Sequence, residues 1–299
     1  MRKPLVSLAT MLAATILVSM ASLAAEPSPQ AAEKKLLNVL YYGNSFTGCG
    51  DLPLVVKKMA EAGDPDLVLF GSGCVNSGSL GSLAGHWKAG SPQKQITTPP
   101  GSKQKWDFVV LQSYNDDMEG EKSSYAQYAP KYAELIKAQG GRVVLYETTP
   151  KTMNGMPLTA PPDPAPVIEK AKAIAALAKQ TDALVVPMSV VALRCQTVRP
   201  DLTLRFANDF HPNQTMVYLT ACTFYAALFN RSPEGLPALF RSPEGLPIDT
   251  IPSAAPGNKD PDGGPAERTF SPKDRADLQR IAWEGLKQFQ EIAASTDAR

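Results

Sequence analysis

The chain has 299 residues, 43% of them apolar, and a net charge of +1. That apolar share is enough for a sizeable buried core, while the near-neutral balance and the lack of any long basic cluster exclude a nucleic-acid surface, which needs Lys and Arg massed against phosphates. Only two histidines and four cysteines are present, with no Cys-x-x-Cys spacing, so the chain is poor in metal ligands and neither a metal nor another cofactor is expected.

Arg2 and Lys3 precede an apolar run at 5–23 that ends in small residues around Ser22 and Ala24. The run is nearly long enough to span a bilayer, but Ser7, Thr10, Thr15 and Ser19 interrupt it, and the pattern predicts a cleaved secretory signal at 1–24. A secreted or periplasmic protein is expected, with no stable membrane insertion after cleavage. A polar linker at 25–35 then leads into a single domain at 36–299. Export permits disulfides among Cys49, Cys74, Cys195 and Cys222, with three pairings open. A Cys49–Cys74 bridge is expected if the loops that carry them leave neighbouring strands. Cys222, in an apolar helical pattern, is expected to be buried.

Short apolar runs recur at 37–42, 67–70, 108–111, 143–146 and 184–186 with little polar alternation, as in strands buried on both faces. Helical periodicity lies between or after them at 54–62, 125–138, 167–178 and 216–229. Alternating strands and helices predict an α/β fold with a mostly parallel, five-stranded sheet and helices on both faces, its functional groups beyond the carboxyl ends of the strands. The Pro-rich stretch 150–166 reads as an excursion at the edge of the site or a linker, and 252–265 as a mobile Pro/Gly segment. A tandem copy, Arg-Ser-Pro-Glu-Gly-Leu-Pro at 231–237 and again at 241–247, reads as a lengthened surface loop. A final amphipathic helix is predicted at 272–294.

Ser45 follows the first strand, and His211 lies in the loop Asn208-Asp209-Phe210-His211-Pro212, because proline disfavours helix at the residue before it and Asn and Asp favour turns. A serine hydroxyl needs a base to become a nucleophile, and His211 is the natural candidate. The Gly/Ser-rich loop with Gly78 and Gly81 follows the second strand and Gln112 to Asp116 the third, so four polar loops are expected to share one rim. Asp51 is expected to cap the helix that follows it.

Three segments together, Gly43-Asn44-Ser45-Phe46-Thr47, Val109 to Asp116 and Asp209-Phe210-His211-Pro212, resemble the SGNH (GDSL-like) hydrolases, in the branch whose first block reads Gly-Asn-Ser-Phe-Thr. The resemblance spans 37–229. It implies a flavodoxin-like three-layer α/β/α sandwich and ester hydrolysis through an acyl-enzyme. By position it makes Ser45 the nucleophile and His211 the base, and it builds the oxyanion hole from the Ser45 amide, a glycine amide (Gly81, with Gly78 the alternative) and the Asn115 side chain. Asn44, Gln112 and His86 are candidates for substrate contact, with packing at the mouth the simpler reading for His86. The family's acid stands three residues before the histidine, where this chain has Asn208. Either Asp209 has taken that role or Asn208 holds the ring without charge. The resemblance and compartment imply a small-molecule or carbohydrate ester as substrate, with a small acyl group such as acetyl. The displaced acid leaves a second option, a catalytically weak or inactive domain that binds carbohydrate or protein. The oligomeric state is left open.

Overall fold

A computed structural model describes residues 34–98, 105–114, 118, 123–148, 150–237 and 270–297. The expected signal, the linker up to residue 33, Asn115, Asp116, the second repeat copy at 241–247 and the 252–265 segment lie outside these residues.

The chain enters strand β1 (Lys35–Gly43), makes a single turn α1 (Ser45–Gly48) and continues into helix α2 (Leu52–Gly63) and strand β2 (Leu67–Val75). Two short helices follow, α3 (Leu83–Lys88) and α4 (Ser91–Gln95), and then β3 (Phe108–Gln112), α5 (Ser124–Ala138) and β4 (Arg142–Glu147). Helix α6 (Ala165–Thr181), β5 (Leu184–Pro187), α7 (Met188–Val198), α8 (Gln214–Phe229) and α9 (Pro272–Asp297) complete the described elements. The strands form one parallel sheet in the order β2-β1-β3-β4-β5. This is the doubly wound order whose switch point, where the winding reverses, lies between β1 and β3, and ligand sites form in the crevice there.

Helices cover both faces of the sheet, which explains the lack of polar alternation in the inner strands. Val39 and Tyr41 of β1, Val110 of β3, Val144 and Tyr146 of β4 and Val186 of β5 pack in one layer with α2, α8 and α9. Their neighbours Leu40, Tyr42, Val109, Leu111, Val143, Leu145 and Val185 pack in the other with α5 and α6. Helix α8 is buried along its length from Gln214 to Leu228, so it reads as apolar all round, and its Phe224 lies 5.1 Å from the ring of Tyr146. Helix α9 lays Leu278, Ile281, Ala282, Leu286 and Phe289 against the core and is held at its start by Arg199, which donates to Asp274 (2.7 Å) and Asp277 (2.8 Å).

Several expectations need correction. The four cysteines are free thiols, so the Cys49–Cys74 bridge expected from the sequence is not formed. Cys74 packs with the α5–α6 layer with its Sγ 3.5 Å from His86 Nδ1, and Cys49 is buried in the turn ahead of α2. Asp51 stands before α2 in a left-handed conformation (φ 48°) and makes no side-chain cap bond. The 150–166 stretch is more than a linker: its Met153 is buried, and Asn154 accepts from the amides of Leu204 (2.9 Å) and Arg205 (3.3 Å). No helix among the described residues is long and apolar enough to cross a membrane.

Candidate active site

Strand β1 ends at Gly43, and Asn44 stops the strand and caps the turn that follows. The Asn44 Oδ1 accepts from the Phe46 amide (3.0 Å), and its carbonyl accepts from the amides of Thr47 (2.9 Å) and Gly48 (3.1 Å). Ser45 occupies the first helical position of this turn, where an amide has no intrahelical acceptor and points outward. One residue thus presents both a hydroxyl and an available N–H at the switch point of the sheet.

A buried network fixes this turn. Gln112, at the end of β3, accepts at Oε1 from the Asn44 amide (3.0 Å) and the Thr47 hydroxyl (2.6 Å), and donates from Nε2 to Asn44 Oδ1 (2.6 Å) and the Ser113 carbonyl (3.2 Å). Gly43 is required here, because a Cβ on it would stand 2.4 Å from both Gln112 Oε1 and Thr47 Oγ1. His86, also fully buried, donates from Nε2 to the Gly43 carbonyl (2.9 Å). Its Nδ1 is then an acceptor and faces the Asn76 amide nitrogen (3.2 Å) and Cys74 Sγ (3.5 Å). Burial lowers the His86 pKa below the ordinary 6.5, with the bond to Gly43 opposing, so the ring is held neutral. Asn44, Gln112 and His86 are buried, and the hydrogen bonds made by Asn44 Oδ1, by both ends of the Gln112 amide and by both His86 nitrogens brace the end of β1.

His211 arrives from the other end of the chain. Its loop is closed by an antiparallel bridge between Arg205 and Pro212 and by the Phe206 amide donating to the His211 carbonyl (3.3 Å). Asn213 pins the base of the loop, donating to the Thr203 carbonyl (2.9 Å) while its Oδ1 accepts from the Met216 amide (3.2 Å) and so caps α8. Within the loop, Arg205 donates to the carbonyls of Met153 (3.1 Å), Phe206 (3.1 Å) and Asp209 (3.4 Å).

The loop brings His211 Nε2 to 2.9 Å from Ser45 Oγ, and Asp209 Oδ1 to 2.7 Å from His211 Nδ1. Asp209 reaches the ring from only two residues away because the same oxygen accepts from the His211 amide (3.2 Å). That contact is the i to i+2 turn characteristic of Asp, and it folds the chain back until backbone and ring share one acceptor. Asn208 is exposed on the same loop. With the carboxylate accepting a hydrogen bond from Nδ1–H, Nε2 is left as the acceptor for the serine hydroxyl, the tautomer a general base requires. The Asp209 carboxylate also reinforces the effect of burial on Cys49, whose pKa is pushed up to about 12. That thiol stays protonated.

No family model and no curated protein matches the chain. Among solved structures it is similar to three. One is a candidate SGNH hydrolase from Slackia heliotrinireducens (19% identity, TM-score 0.44, covering 65% of this chain and 100% of that one). Another is the acetyl xylan esterase AlAXEase (17%, TM-score 0.42, 64% and 100%), and a third is a gut microbial diltiazem-metabolizing enzyme (15%, TM-score 0.39, 65% and 47%). At these values the chemistry rests on the site's own geometry.

Of the two glycines weighed for the oxyanion hole, Gly81 lies against the nucleophile turn: a Cβ on it would meet Asn44 Cβ and the Asn76 carbonyl, each at 2.5 Å. Gly78 has open space around it and turns the chain with φ +55°. Asn115 lies outside the described residues. No group of three His, Cys, Asp or Glu side chains suited to a metal occurs among the described residues. The residues that the sequence did not single out are Thr47, Asn154, Arg205 and Asn213. Thr47, the last residue of the first block, braces the Gln112 side chain, while Asn154, Arg205 and Asn213 hold backbone, and Asn213 carries a sequence signal as a cap residue ahead of an apolar helix.

Proposed function

We propose that the protein is an exported serine ester hydrolase in which Ser45 is the nucleophile, His211 the general base and Asp209 the residue that orients it. The observation that carries this reading is the pair of contacts in line, 2.9 Å from Ser45 Oγ to His211 Nε2 and 2.7 Å from Nδ1 to Asp209 Oδ1, at the carboxyl edge of a parallel sheet. His211 takes the hydroxyl proton as Ser45 Oγ bonds to the ester carbonyl carbon. The oxygen that becomes negative is met by the Ser45 amide, the Gly81 amide and the Asn115 side chain, each such donor being worth about 3 kcal/mol in other hydrolases. The tetrahedral species collapses, the imidazolium returns its proton to the departing alcohol, and a water activated by the same ring releases the acid. An O-acylated carbohydrate as substrate follows from the sequence resemblance and the expected export.

The displaced acid was the argument for a non-catalytic carbohydrate- or protein-binding domain, and the contact from Asp209 takes away its support. The test is labelling with a fluorophosphonate alongside hydrolysis of short-chain esters. The wild-type protein is expected to label and turn over, and Ser45→Ala to lose labelling and about six orders of magnitude in kcat. A folded wild-type protein that neither labels nor hydrolyses would overturn the assignment.

A further inference from the structure

Phe210 stands next to His211 in the chain and is 70% exposed, the most exposed large apolar side chain among the described residues. It is nevertheless not loose. The Arg205 guanidinium lies 5.1 Å from the centre of its ring, and that guanidinium is tied to the carbonyls of Met153, Phe206 and Asp209. A cation against one face of an aromatic ring holds it by the attraction of charge to the π system and leaves the remainder of the ring to solvent. An aromatic side chain fixed in position yet uncovered gains little from folding, and this one sits on the loop that carries the base.

We propose that Phe210 is a stacking platform for the sugar ring of the alcohol part of the substrate, an inference that rests on the serine-hydrolase reading above. The direction follows from the chemistry. When the tetrahedral species collapses, the carbon–oxygen bond to the alcohol breaks and the proton on His211 Nε2 passes to that oxygen, so the alcohol lies on the imidazole side of the serine. Phe210 is exposed on the same loop as that imidazole, one residue before it in the chain, while the ring that approaches the imidazole itself is that of Phe46, with 5.9 Å between centroids. A pyranose ring offers a flat face of C–H bonds, which packs on an aromatic face through dispersion and through attraction to its negative quadrupole. Its hydroxyls project at the rim of that contact, toward solvent.

The experiment measures acetate release from a mono-acetylated methyl xylopyranoside and from ethyl acetate, and follows the ratio of the two kcat/KM values. Phe210→Ala is expected to lower that ratio about five- to tenfold, mainly through KM, because stacking is present in both the bound and the transition state. Phe210→Trp should keep the ratio, and Phe210→Leu, apolar but without a flat face, should lose it as Ala does. A ratio unchanged in Phe210→Ala, or preserved in Phe210→Leu, overturns the platform while leaving the hydrolase reading intact. A wild-type protein that hydrolyses neither ester overturns both, so the two failures are distinguishable.

Discussion

Asp209 and Asn208 differ by one position in the chain, and the consequences of that difference are chemical. A carboxylate at Nδ1 selects the tautomer that leaves Nε2 able to take a proton, and it stabilises the imidazolium that forms; an amide can do the first imperfectly and the second not at all. Asp209→Asn is therefore expected to lower kcat by about four orders of magnitude with KM little changed. Asn208→Ala should cost less than about tenfold. Steady-state kinetics on both variants checks the assignment, and the reverse ranking would move the orienting role to Asn208. Sequence spacing left these two residues undecided because it counts positions along the chain, whereas the orientation of the carboxylate is set by the turn in which Oδ1 accepts from the His211 amide. Ser45 and His211 were legible because each sits in a distinctive local context, a strand end and a His-Pro loop. The bracing roles of Asn44 and Gln112 were not legible for a related reason, since a polar residue near a site looks the same in sequence whether it faces the substrate or the backbone beneath it, whereas packing was already the simpler reading for His86.

At the level of elements, the end of β3 and the turn after β1 are joined by one side chain. Gln112 satisfies both the amide and the side chain of Asn44 as well as the Thr47 hydroxyl, all in a buried setting. Gln112→Ala leaves the Asn44 amide and the Thr47 hydroxyl without this acceptor and is expected to destabilise the protein by about 2–4 kcal/mol, read from the urea midpoint. The labelling rate of the molecules that remain folded should fall as well, since the turn that aims Ser45 is loosened. Strands and long helices were readable wherever one period dominated. Helix α7 was not, because its apolar sequence runs on from β5 without a break, and the group that receives its first amides is remote: Glu147 Oε2 accepts from the Ser189 amide at 2.7 Å. Strand β2 was read as ending at residue 70, whereas it continues to Val75 along the exposed edge of the sheet, where Gly and Ser disguise a paired backbone. The 150–166 stretch looked peripheral since its role is expressed through backbone contacts to residues about fifty positions later.

For the molecule as a whole, the neutral, buried His86 ties global stability to pH. Its folded pKa lies below 6.5, so at pH values under about 6.5 the unfolded chain takes up a proton that the folded chain refuses, and stability falls as pH falls. The urea midpoint should be lower at pH 5 than at pH 7.5, and the difference should shrink in His86→Gln. An identical difference in that variant would place the sensitivity elsewhere. The overall architecture was the most legible level, since an alternation of strands buried on both faces with crossover helices admits few arrangements. The serine and the histidine stand 166 positions apart, joined through a sheet whose winding must be complete before the late helix can seat its loop. A chain still threading out of a ribosome or across a bilayer thus carries an ordinary alcohol. Reactivity switches on only with the final docking event, which makes covalent labelling a direct clock for when this protein finishes folding.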